Sequence, residues 1–158
     1  STMQFFSFDK NDYGEFIIVD DGDGISQIAL KNNGFLCGKI VEQETPLLAQ
    51  AKLELREFFT GKRKSFDVPL SLHGTDFQMK VWQKLREIPY GQTYTYGQLA
   101  TSIGNQKAAR AVGMANNRNP ILFMVPCHRV IGSNGALTGY AAGLDIKEKL
   151  LQMEKEFR

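Results

Sequence analysis

Two cysteines, two histidines and a single tryptophan in 158 residues leave little from which to build the commoner reactive or metal-binding centres. Cys37 and Cys127 stand far apart in unlike settings, so there is neither a disulfide framework nor a Cys-x-x-Cys motif for redox or metal work. This scarcity fits a reducing compartment. With only His73 and His128 to add, no spacing resembles a zinc site, and neither a metal nor another cofactor is expected. No apolar run is long enough for a signal peptide or a membrane span, and Asp9, Lys10, Asp12 and Glu15 charge the early chain. The expected setting is the cytoplasm, or the nucleus in a eukaryote. Ser1 and Thr2, ahead of Met3, read as a cloning remnant and enter no fold argument. Low-complexity tracts are lacking, and hydrophobic and charged shares of 42% and 23% are those of an ordinary globular chain, which excludes disorder.

The most informative absence is of acid. From Thr95 to Tyr140 there is no Asp or Glu, while Lys107, Arg110, Arg118 and Arg129 are all present. The formal net charge of +2 is too small to announce a nucleic-acid partner, but this segregation gives one face a positive field that attracts phosphates. Chance clustering of charge is the competing explanation.

Local signals divide the chain at Gly74. Before it, Phe16–Val19 and Ile25–Leu30 are β-prone runs separated by Asp20-Asp-Gly-Asp-Gly24, which is turn chemistry and predicts a hairpin. Thr45-Pro46 opens a helix with apolar residues at 47, 48, 51, 55, 58 and 59, stopped by Gly61. Phe66, Val68, Leu70 and Leu72 alternate as a further strand or an extended linker. Beyond Gly74, Thr75-x-x-Gln78 and Thr95-x-x-Gln98 are capping boxes. The first starts a helix with Phe77, Val81, Leu85 and Ile88 on one face, ended by Pro89. The second starts a short helix through Leu99 and Ile103, ended by Gly104-Asn105. A third helix is predicted from about Gln106 to Asn116, and the last two form a helix-turn-helix candidate, a geometry that ordinary helical domains also use. Ala108, Ala109, Ala111, Gly113 and Ala115 leave this third helix slim enough to approach a phosphate chain, or simply to pack tightly on a neighbour. The fold class is therefore α+β: a small sheet-and-helix domain over residues 1–73, then a mostly helical domain over 74–158 with the helix-turn-helix.

The chemistry concentrates after Asn119-Pro120, where a buried apolar strand Ile121–Val125 is expected to run into Pro126-Cys-His-Arg-Val130. Cysteine attacks as its thiolate, so it needs a base or a positive field, and His128 and Arg129 are at hand. A buried structural cysteine is the bland alternative. The adjacent His and Arg on a Pro-constrained turn weigh against it.

These residues carry a resemblance. Gly74-Thr-x-Phe-Gln, Ile88-Pro-x-Gly91, Tyr96-x-x-Leu-Ala100, Arg110-Ala-Val-Gly113, Asn119-Pro120, Pro126-Cys-His-Arg-Val130, Gly139-Tyr140 and Leu150-Leu151 occur in that order, and this half of the chain resembles the O6-alkylguanine-DNA alkyltransferases. The amino-terminal half resembles that family's ribonuclease-H-like domain in its hairpin, helix and Phe-Phe-x-Gly ending. The resemblance implies that Cys127 accepts the alkyl group and that His128 takes its proton through a water held by Glu154. It implies that Tyr96 donates a proton toward the leaving guanine, and that Arg110, with Ala109 beside it, enters the DNA where the base has flipped out. Asn119 ties the helix-turn-helix to the active turn. Tyr140, the carbonyls of Cys127 and Val130, and the amide of Ala141 hold the base, with Arg129 on the DNA-binding side. Ala141 stands where the family has Ser or Gly, which blurs the substrate range. The partner implied is double-stranded DNA containing O6-alkylguanine, met by a monomer, with O4-alkylthymine as a substrate and cooperation on DNA left open. Some members bind zinc in the amino-terminal domain, a set that Cys37 and His73 alone cannot complete.

General chemistry agrees with these roles. An alkyl carbon calls for a soft nucleophile, a base hidden in the duplex must be rotated out to be reached, and water does not cleave the resulting thioether, so turnover stops at one. Two other readings remain: a lesion sensor lacking an acceptor cysteine, which Cys127 argues against, and a cysteine hydrolase, for which adjacent Cys and His are unusual.

Overall fold

The computed structural model describes residues 3–158, so Ser1 and Thr2 lie outside the described residues. The chain divides into two compact units that meet at His73 and Gly74.

The first unit is a four-stranded sheet with one helix. Strands β1 (Gln4–Asn11), β2 (Gly14–Asp20) and β3 (Ile25–Leu30) form an antiparallel meander, and β4 (Ile40–Glu42) joins β1 in parallel, giving the order β3-β2-β1-β4. The expected hairpin is β2–β3. Its turn is closed by Asp20 and Asp21, whose carboxylates accept from Gly22 and Gly24 amides at 2.8 and 3.1 Å. β1 and β4 were not legible as strands: charge interrupts one, and the other is three residues long. Helix α1 (Pro46–Phe59) starts where Thr45 Oγ1 accepts from the Leu48 amide at 3.1 Å. It buries Leu48, Ala51, Leu55 and Phe58, the larger of which contribute roughly 1.5–3 kcal/mol each by leaving water.

The segment predicted as strand or linker, 66–72, is extended but makes only a single parallel bridge between Leu70 and Ile25. Pro69 has no amide to donate, so the alternation of Phe66, Val68, Leu70 and Leu72 cannot grow into a ladder.

The second unit is helical. Both capping boxes form: Thr75 with Gln78 begins α2 (Asp76–Leu85), and Thr95 with Gln98 begins α3 (Tyr96–Ser102). Gly104, at φ 83°, turns the chain through a 3-10 turn at Gln106–Ala108 into α4 (Ala109–Asn117). α4 packs on α2 and α3 through Val112, Ala115 and Asn116, and the Trp82 indole donates to the Ala115 carbonyl at 2.9 Å. Lys107, Arg110, Ala111, Met114 and Arg118 remain exposed around it.

Ile121–Val125 is buried, but it is not a strand. Phe123 adopts φ 72°, and the Val125 amide returns to the Ile121 carbonyl at 3.1 Å, folding the run into a turn. Asn119 stabilises it from both sides, accepting from the Ile121 amide at 2.9 Å and donating to the Val125 carbonyl at 2.7 Å. A bulky residue in the left-handed region is strained by about 1–2 kcal/mol, which burial of the Phe123 ring offsets. The turn delivers the chain to a short parallel pair, β5 (Tyr94–Thr95) with β6 (Val130–Ile131). The last helix, α5 (Leu144–Phe157), has no side-chain cap, only Gly143 at φ 100°, and so gave no start signal in the sequence. Among the described residues, no helix is long and apolar enough to cross a membrane.

Candidate active site

Cys127 opens a 3-10 turn, Cys127–Arg129, directly after Pro126, and is 3% exposed. Its amide donates to the Val125 carbonyl at 2.8 Å, and its own carbonyl accepts from the Val130 amide. Because β6 pairs Val130 with Tyr94, the strand leading to Tyr96 runs beside the cysteine turn.

The two residues after Cys127 are tied to one carboxylate on α5. His128 Nε2 lies 2.6 Å from Glu154 Oε2, and Arg129 forks the same group, Nε to Oε1 at 2.8 Å and Nη2 to Oε2 at 3.0 Å. The Gly91 amide also donates to Glu154 Oε1, at 3.2 Å, and Arg129 Nη1 donates to the Ile88 carbonyl at 2.8 Å. Glu154 thus meets the imidazole directly. A carboxylate that only accepts makes Nε2 the protonated ring nitrogen and Nδ1 the basic one.

Arg129 departs from its expected place. It is buried, its guanidinium is held by Glu154 and the Ile88 carbonyl, and it lies 5.5 Å from the Tyr90 ring centre, so its charge is engaged inside the protein and not on the exposed surface. The exposed cations of the acid-free stretch are Lys107, Arg110 and Arg118, and α4 carries Arg110 beside the half-buried Ala109.

The amino-terminal residues 6–72 match the ribonuclease-like domain of 6-O-methylguanine DNA methyltransferase, and residues 76–156 match its DNA-binding domain. The chain belongs to this methyltransferase family. It is 48% identical to the methylated-DNA–protein-cysteine methyltransferase of Methanosarcina acetivorans, over 95% of this chain and 97% of that one. It is 46% identical to the constitutive enzyme of that name from Bacillus subtilis, over 97% and 96%. Its fold matches the crystal structure of Mycobacterium tuberculosis OGT in complex with DNA with a TM-score of 0.89 at 38% identity, covering 97% of this chain and 94% of that one.

Burial governs the electrostatics of this methyltransferase-family site. It pushes the Cys127 thiol up to about 11, against the opposing pull of Asn119, Lys147 and the turn's own backbone. Burial likewise lowers His128, keeping the imidazole neutral, and raises Tyr140 well above the ordinary phenol range, with Cys127 and Glu154 adding to the effect. Burial also opposes ionisation of Glu154, but hydrogen bonds from His128 and Arg129, with the charge of the guanidinium, prevail and hold it at about 2. The Tyr140 hydroxyl is turned inward. The Tyr96 hydroxyl accepts from Thr138 Oγ1 at 3.1 Å and donates to the Thr138 carbonyl at 3.4 Å. Ala141 follows Tyr140 on the exposed rim.

One further residue, Lys147, had no signal in the local sequence pattern. Lys147 is wholly buried, and its Nζ donates to the same Thr138 carbonyl at 2.7 Å. Only its spacing of seven from Glu154, which puts both on one helix face, could have marked it.

Proposed function

We propose that the chain repairs DNA by direct reversal, moving the alkyl group of O6-alkylguanine in duplex DNA onto Cys127 Sγ once per molecule. The observation that carries this is the buried Cys127 followed at once by His128 locked to Glu154. A thiol pushed up by burial needs a base, and His128 takes its proton through a water on Nδ1, while Glu154 on the ring's other nitrogen steadies the imidazolium that forms. The sulfur electron pair then forms the S–C bond, the O6–C bond breaks, and its pair returns to the guanine ring, which gains a proton by way of Tyr96. The thiol proton is thus balanced by the proton on the released guanine, and the thioether persists.

A cysteine this deeply placed reacts only with a base brought to it. The flipped base is held by Tyr140, the Ala141 amide and the carbonyls of Val130 and Cys127, while Arg110 on exposed α4 fills the vacated stack and Ala109 permits close approach. Asn119 links α4 to the cysteine turn. Residues 1–73 form the ribonuclease-H-like domain, and residues 74–158 carry both binding and transfer. One copy holds the whole residue set, so it acts as a monomer, in the cytoplasm or, in a eukaryote, the nucleus. No cofactor enters the scheme.

Incubation with O6-methylguanine duplex followed by intact-mass measurement tests this. One added methyl group per chain is expected, absent in Cys127→Ala, which keeps its DNA affinity. Binding without mass gain marks a lesion sensor, and more repaired guanine than protein marks a turnover enzyme; either result refutes the proposal.

A further inference from the structure

The end of α4 grips two separate parts of the second unit. Asn119, just past the helix, donates to the Val125 carbonyl at 2.7 Å, and the Cys127 amide donates to that same carbonyl at 2.8 Å, so this asparagine fixes the turn of the nucleophile. Asn117, the last residue of the helix, reaches the loop that carries Tyr140. Its side-chain amide lies against Gly139: a β-carbon there would stand 3.0 Å from both Nδ2 and Oδ1, closer than ordinary packing. One turn earlier on α4, a β-carbon on Gly113 would stand 3.7 Å from Cδ1 and Cε1 of Tyr96, whose hydroxyl is bonded to Thr138. Gly113 and Asn117 are four apart and share a face of the helix. The contacts therefore close a ring, from α4 through Tyr96 to Thr138, on to Gly139, and through Asn117 back to α4.

The loop in that ring has little order of its own. Residues 133–136 are exposed, and Gly139, at φ 42°, has no side chain with which to anchor itself. Glycine loses more conformational freedom on being fixed than any other residue, so its position depends on what packs against it. Thr138 is held by Tyr96 and by Lys147 Nζ at 2.7 Å, and Gly139 has Asn117. Tyr140 follows directly. We infer that Asn117 is a positioning residue for transfer: its amide buttresses Gly139 and so sets where Tyr140 stands relative to the cysteine turn that Asn119 holds. This rests on Tyr140 being a wall of the base pocket. Two asparagines on either side of Arg118 then fix base and sulfur against each other from a single helix end.

The test uses the full chain carrying Cys37→Ser, which leaves one thiol, and compares two reagents for Cys127. O6-benzylguanine must be seated by the base pocket to react, whereas iodoacetamide needs only the thiol. Asn117→Ala should slow benzyl transfer from free O6-benzylguanine about three- to tenfold, because a misplaced base reacts slowly. The iodoacetamide rate and the affinity for unmodified duplex should stay within about twofold of the parent, since Asn119 still holds the cysteine turn. Asn117→Asp, which keeps the planar shape, should recover most of the loss in benzyl transfer, and a loss as large as that of Asn117→Ala overturns the inference. Equal slowing with both reagents assigns Asn117 a merely structural part and overturns it too. A fall in duplex affinity with free-base transfer unchanged assigns Asn117 to DNA, and that result or no slowing at all is equally fatal. A double-mutant cycle examines the contact itself. Gly139→Ala crowds the Asn117 amide, so it should slow benzyl transfer by about threefold more in the parent than in Asn117→Ala, the strain of φ 42° being common to both. Additive effects overturn the inference. Failure of the repair reading would be seen separately, as no benzyl transfer to the parent chain.

Discussion

Glu54 in the amino-terminal unit and Glu154 in the carboxy-terminal unit are both buried carboxylates on the inner faces of long helices. Glu54 accepts from the amides of Asp67 and Val68 at 2.8 and 3.1 Å and from the Gln50 side chain at 2.8 Å, so it substitutes for strand pairing along an extended segment. Among the described residues its one cationic neighbour, Arg63, stands off at 3.9 Å and is held more closely by Glu57 and Asp67. Glu154 instead directly binds an imidazole and a guanidinium, and the turn they belong to begins with the nucleophile. The first carboxylate replaces missing backbone partners. The second sets a tautomer and neutralises a cation, and only that kind of partner couples burial to chemistry.

Substitution by the isosteric amide separates the two roles most strongly. Glu154→Gln leaves the buried Arg129 without its anion and should cost about 3–5 kcal/mol, a fall of roughly 6–20 °C in melting temperature. Glu54→Gln keeps an acceptor for both amides and should cost about 1 kcal/mol. Thermal melts of the two variants that fall by equal amounts would erase the distinction.

Alkylation adds bulk only to the second unit. Cys127 is 3% exposed and packed behind the Phe123 turn, so a benzyl group overfills the site at about 1–3 kcal/mol. The benzylated protein, freed of excess reagent, should melt several degrees lower, and the methylated form should lose less. A melting temperature at or above that of the free protein would show that the site already accommodates the product.

Acid should act on the same cluster. Burial lowers His128, so the unfolded chain binds its proton first. Stability from this group is complete above about pH 6.5 and declines below it by up to about 1.4 kcal/mol per pH unit. Glu154, held at about 2, adds a further loss between about pH 4.3 and 2 as its unfolded form takes up a proton. Denaturant midpoints measured across this range should slope accordingly, and His128→Gln should flatten the upper part. A wild-type midpoint that stays level from pH 7 to 5 contradicts a buried neutral imidazole.

The smallest effect belongs to the exposed surface, where Lys107, Arg110 and Arg118 surround α4. Three phosphate contacts give a slope of about −3 in log affinity against log salt, and Arg110→Ala should reduce it by about one. The same variant should slow repair in duplex DNA far more than reaction with free O6-benzylguanine, which needs no flipping. Equal slowing on both would place Arg110 in the pocket instead.

How much was legible in the sequence follows from the range of each interaction. Capping boxes at Thr75 and Thr95 involve residues three apart, so their helices could be read directly. The acid-free stretch and the Pro-Cys-His-Arg-Val run were equally visible, and with the ordered motifs they determined the family and the α+β class. Tertiary structure decided the rest. It turned Ile121–Val125 into a bend around Asn119, because side-chain bonds to both ends of a run outweigh its β propensity. It drew Arg129 inward and buried Lys147, since a cation in sequence is the same letter whether it faces water or an anion. Where each goes depends on α5, whose Glu154 lies 25 positions from Arg129 and whose start carries no local signal, so only the packed chain could set His128 and Arg129 against Glu154 and Lys147 against the Thr138 carbonyl.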